Sequence, residues 1–196
     1  MDAAPLDLLL PAALGIGLAA ACGLRIFVPL LALSVAAMSG WVELTPGMAW
    51  MGSVPALVVF AVATLLEIAA YYVPWVDNAL DWLGAPVAVL AGTLVTASVL
   101  PDASPLVRWS LAAIAGGGAA GVVHGGLALV RKLSSFTTGG LANHVVATGE
   151  AGGSVALSAV AIAAPLLALI CVVVGVALVV SAVRSRRAGA MADGRG

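Results

Sequence analysis

A single glutamate inside an apolar stretch is the first residue of this sequence that could do chemistry. Glu67 interrupts a segment that is otherwise apolar from Val54 to Val73, and an ionisable group at membrane depth is costly enough that it usually marks function. A carboxyl in that position can exchange a proton or bind a cation. The plain alternative is a structural glutamate, hydrogen-bonded to a hydroxyl or paired with a base. Arg25 is the natural partner, because it stands beside Gly23 and Pro29, where helical hydrogen bonding is weakest. It can neutralise Glu67, bind an anionic group or snorkel to the interface. If the two pair, Glu67 stays ionised and a proton relay is disfavoured. Asp77 and Asp81 are four residues apart, on one face of a short helix, with Asn78 between them. They can supply oxygen ligands to a divalent cation, although two carboxylates on an interfacial helix equally make a solvated face. Asn143 lies in a polar connection that reads either as a re-entrant loop or as a surface loop. Glu150 opens an apolar run, where the helix macrodipole alone favours an acid. His124 can exchange protons, but a lone histidine on a packed face also reads as a neutral hydrogen-bonding residue. The candidate ion- or substrate-binding set is therefore Glu67, Arg25, Asp77, Asp81, Asn143 and Glu150. No Ser/His/Asp or Cys/His arrangement, phosphate-cradling loop or metal-spaced histidine pair occurs, so no catalytic residue, cofactor or metal is expected.

The elements that must position these residues follow from composition. In a chain of 196 residues, 63% are hydrophobic and 9% charged, against roughly 25% charged in an ordinary soluble domain. With a mean hydropathy of +1.17, the expected fold is an all-α, polytopic integral membrane helix bundle. It forms one domain over 1–183, followed by a disordered basic tail over 184–196. The net charge of −1 and the lack of a basic stripe exclude nucleic acid as a partner. Cys22 and Cys171 sit in apolar runs as small buried hydrophobes. The Leu18 to Gly23 stretch loosely matches a lipoprotein box but lacks a basic region before it.

Five apolar segments are predicted: Leu8 to Ser39, Gly52 to Val73, Trp82 to Leu100, Leu106 to Val130 and Ala151 to Val183. The first would be about 47 Å long as a straight helix, more than the roughly 30 Å hydrocarbon core, so it must tilt, kink or fold back. Basic stretches at Arg131-Lys132 and Arg184 to Arg187 lie on the same, cytoplasmic side only if the last segment bends back near Pro165. By analogy the first segment breaks between Gly23 and Pro29. Gly117, Gly121 and Gly125 recur every four residues, as do Gly15, Ala19 and Gly23, and this spacing lets helix backbones approach in a membrane.

Several phrases together resemble the membrane family known as domain of unknown function 4126. They are Gly23-Leu24-Arg25-Ile26-Phe27-Val28-Pro29-Leu30, Leu66 to Asp77, the Gly116 to Gly126 run, and Gly139-Gly140-Leu141-Ala142-Asn143 leading to Glu150. The resemblance spans roughly Gly15 to Val183 and departs from the family at His144, where a proline commonly follows the asparagine. It implies a multi-pass bacterial membrane protein. From the residues we expect a small transporter or channel for an ion or small solute in the inner (plasma) membrane, with a cytoplasmic C-terminus. The reading from another class is a structural or assembly protein whose glycine faces bind partner helices. The partners expected are the lipid bilayer and a second copy of the chain in a homo-oligomer.

Overall fold

The computed structural model describes the backbone of residues 5–70, 74–100, 104–138 and 143–193, and the side chains of 8–70, 83–100, 104–131, 145–178, 180 and 181. These residues form eight α-helices and no strand. They are α1 (Pro5–Leu24), α2 (Phe27–Met38), α3 (Val54–Ala70), α4 (Pro74–Val99), α5 (Pro105–Leu111), α6 (Gly118–Thr138), α7 (Asn143–Ala163) and α8 (Pro165–Asp193). A 3₁₀ helix, Pro46–Gly52, precedes α3, and a π-helical turn, Ala112–Gly117, joins α5 to α6. Two helical stretches, Pro105–Arg131 and Val145–Ala163, are each long and apolar enough to cross a membrane. The 3₁₀ helix and α3 reach that length and apolarity only as a pair, bent by 62° at their junction. Shorter apolar helices complete the bundle, which identifies an all-helical membrane protein. The predicted disordered tail differs: α8 carries helix through Arg184–Arg187 to Asp193.

The centre of the bundle is α1, whose Leu18, Ala19, Ala20, Ala21 and Cys22 are fully buried between α4, α6, α7 and α8. It stops at Leu24, and α2 starts again at Phe27. The chain reverses at this break. Leu10 and Leu14 of α1 share a cavity wall with Trp41 to Thr45, which follow α2, whereas a straight continuation would separate them by about 45 Å. The end of α2 is made by Gly40, whose φ of +73° suits only glycine at low cost. There Trp41 N–H bonds to Ala36 O at 2.9 Å and Gly40 N–H to Ala37 O at 3.1 Å, a Schellman stop.

The last apolar run breaks in the same way. A Cβ built on Gly17 would lie 2.9 Å from Ala161 Cβ and 3.0 Å from Ala168 Cβ, although a straight helix separates residues seven apart by about 10 Å. Pro165, which cannot donate to the helical ladder, sits between them. Both limbs pack on α1.

The glycines differ in what they face. Gly15 approaches Thr96 and Val99 of α4, Gly117 approaches Thr93 and Val89 of the same helix, and Gly121 meets Val89. Gly23 approaches Ala120 O, which a Cβ would meet at 2.5 Å. Gly125 has nothing within 4 Å. Because a backbone oxygen cannot swing away, Gly23→Ala is expected to lower stability by about 1–3 kcal/mol through overpacking, with Gly125→Ala near wild type. Melting both variants in one detergent checks this, and an equal melting temperature for the two would refute it.

Candidate functional site

A helix interrupted inside an apolar bundle leaves backbone N–H groups with no water to receive them. At the α1–α2 break those groups belong to Ile26 and Phe27, and α3 supplies their acceptor. Ala56, Phe60, Thr64 and Glu67 are the buried positions of α3. Their spacing of four, four and three residues puts them on one helical face, while Val59, Leu65 and Leu66 point outward. Glu67 thus lands at the break, 7% exposed. Ile26 N–H donates to its Oε1 at 2.8 Å and Phe27 N–H to its Oε2 at 3.0 Å. The carboxylate does for α2 what an N-cap side chain ordinarily does from within a helix, and it sits at the positive end of that helix dipole.

Arg25, 2% exposed, turns the other way. Its Nη2 donates to Ala147 O at 2.8 Å and lies 3.6 Å from Glu150 Oε2. Glu150, also buried, is gripped a second time by Arg131 of α6. There Nε donates to Oε1 at 2.8 Å and Nη2 donates to Oε2, the two-pronged geometry that guanidinium and carboxylate favour. Ser154, one helical turn beyond Glu150, donates from Oγ to Ala21 O at 3.1 Å, a second bond to a carbonyl that also accepts from Arg25 N–H at 3.0 Å. Among the described residues, two acids and two arginines from α3, α7, α6 and the break itself therefore converge.

Of the predicted residues, Glu67, Arg25 and Glu150 meet here. Of the roles open to Arg25, the structure shows contacts with Ala147 O and Glu150, while backbone donors hold Glu67. The expectation that Glu150 merely opens a helix is corrected, since α7 begins at Asn143, so that Glu150 lies two turns in, where its charge needs partners. Arg131 was missed as a site residue because it reads as a loop marker, whereas α6 continues past it to Thr138. Asp77 and Asp81 belong to α4 and Asn143 starts α7, but their side chains lie outside the described residues. His124 packs against Gly84 of α4. Among the described residues no three His, Cys, Asp or Glu side chains group closely enough to hold a metal ion.

Such an arrangement can hold a fixed anion at a helix end, exchange that anion for another, or transmit movement of α3 to α7 through the break. The sequence profile described as domain of unknown function (DUF4126) matches residues 12–185, most of the chain and all four charged residues of the site. No curated protein and no solved structure matches the chain.

Proposed function

The chain belongs to the domain of unknown function 4126 (DUF4126) family, and on that premise we propose a small membrane transporter or channel for an ion or small solute, worked by the α1–α2 break. One observation carries the proposal: the N-terminus of α2, deep in the bundle, is held by a carboxylate from another helix. Helix N-termini attract anions, and discontinuous helices of this kind carry the substrate and coupling-ion sites of many transporters. Glu67 occupies the place that an anionic ligand would take, through two bonds across an interface that can open. Arg25, Glu150 and Arg131 supply charges that can compensate when it does, with Asp77, Asp81 or Asn143 as further members of the binding set.

In this reading the protein lies in the inner membrane as five apolar segments. The first and last each fold back at their break, and helices pack through Gly15, Gly23, Gly117 and Gly121, with Gly125 available to a second copy. The Arg131-Lys132 and Arg184 to Arg187 stretches then face the cytoplasm together with the C-terminus.

The test is flux into proteoliposomes across a panel of common ions and small solutes. Glu67→Gln is expected to slow the transported species at least about tenfold, the scale of one charge-assisted bond lost from a gating contact. Unchanged flux of every species that wild type carries would end the proposal. One feature favours the structural reading instead, namely that both Glu67 oxygens are already engaged by backbone donors. That reading expects Glu67→Gln to lower thermal stability or oligomer yield with no change in any flux.

A further inference from the structure

Away from the charged break, at the other end of α1, the bundle holds a cavity of about 560 Å³. Leu14 of its wall is 11 residues from Arg25, about 16 Å along the helix. Leu10, Leu14, Val99 and Ile162 are among its apolar lining, and Glu43, Thr45 and Arg108 among its polar lining.

Thr45 and Arg108 have unmet donors. Arg108 Nε is out of contact with solvent and has no hydrogen-bond partner, and the same holds for Thr45 Oγ1. Thr45 is only 5% exposed. Its place is fixed, because its N–H donates to Ser98 O at 2.8 Å. Among the described residues no carboxylate pairs with Arg108. Glu43 also lines the cavity, but it is exposed, so water screens its charge, whereas Arg108 Nε is shielded. A guanidinium and a hydroxyl, both with unmet donors and lining one cavity, suit an oxyanion. The apolar walls call for a hydrocarbon chain behind it. Trp41, on the rim and well exposed, places the opening at the level where headgroups lie.

We infer that this cavity binds an anionic amphiphile, a phosphate headgroup held by Arg108 and Thr45 with its alkyl chain along α1. The site stands apart from the α1–α2 break, and its test reads no flux, so either inference can fail alone.

The experiment titrates dodecyl phosphate onto the purified full chain in a neutral detergent and follows the melting temperature and tryptophan fluorescence. Saturable binding is expected, about tenfold weaker in Arg108→Gln and about threefold weaker in Thr45→Val. Both variants melt like wild type without ligand, since neither group has a partner to lose. The inference is overturned if Arg108→Gln binds as wild type does, if inorganic phosphate matches dodecyl phosphate, or if dodecanol gives the same response. Native mass spectrometry separates the sources. A phospholipid retained by wild type and absent from Arg108→Gln makes the ligand a membrane lipid. A lipid-free wild type that still binds dodecyl phosphate makes it a soluble amphiphile. Either result supports the site.

Discussion

Replacing Glu67 with alanine is expected to lower the unfolding free energy by about 2–6 kcal/mol, because the part-buried N–H groups of Ile26 and Phe27 lose their acceptor and each orphan costs about 1–3 kcal/mol. In a soluble protein water could take over part of that loss; within an apolar bundle it cannot. Glu67→Gln keeps one acceptor oxygen but sets an NH₂ group against the second backbone donor. It should fall between wild type and alanine, with the loss near the lower end of the range. Leu66→Ala is the control, since Leu66 neighbours Glu67 in sequence but points outward, 65% exposed. The readouts are denaturation in detergent micelles and hydrogen exchange at the Ile26 and Phe27 amides, which should speed up in both Glu67 variants. If Glu67→Ala melts with Leu66→Ala and the two amides stay protected, the carboxylate does not hold the break. The transport proposal would then lose its gate.

The reason Glu67 was legible in the sequence is that α3 is regular. An acid within an apolar run has to face inward, and Ala56, Phe60 and Thr64 already mark the inward face. The break was legible for a related reason, since a run longer than the hydrocarbon core cannot stay straight. Pro29 and Gly23 bracketed the site, but neither forms it: Pro29 is the third residue of α2, where a missing N–H costs nothing. Partner choice was not legible. Arg25 sits beside a break that Glu67 caps, so sequence reasoning joined them, yet the cap uses main-chain donors that no residue type announces. Arg25 is instead taken by α7, whose docking along α1 depends on Ser154 reaching Ala21 and on Gly17 admitting Ala161. These are contacts between residues more than a hundred positions apart. The polar composition between Arg131 and Gly149 also hid the helical register of Glu150. Serine, threonine and glycine there suggest a loop, while α6 runs on to Thr138 and α7 starts at Asn143, since helix propensity is a weak prior.

Glu150 should be the second most costly residue to remove, because its carboxylate contacts both Arg25 and Arg131. Breaking a buried ion pair by deleting one partner costs about 3–5 kcal/mol, since the charge left behind stays desolvated. Glu150→Gln therefore takes one carboxylate away from both Arg25 and Arg131, and that loss should be partly recovered by removing a cation as well. Arg131 is the one to remove, because its side chain retains 14% exposure whereas that of Arg25 retains 2%. Arg131→Gln alone should cost less than Glu150→Gln alone, and the double variant should be more stable than the sum of the two losses by about 0.5–3 kcal/mol. A double-mutant cycle on denaturation midpoints in one detergent measures that coupling. Strict additivity would mean that Arg131 and Glu150 merely lie close together. The contacts of Arg25 with Ala147 O and Glu150 would still tie the break to α7, and Arg25→Lys, too short and too compact to keep that reach, would then become the variant that loosens α7 most.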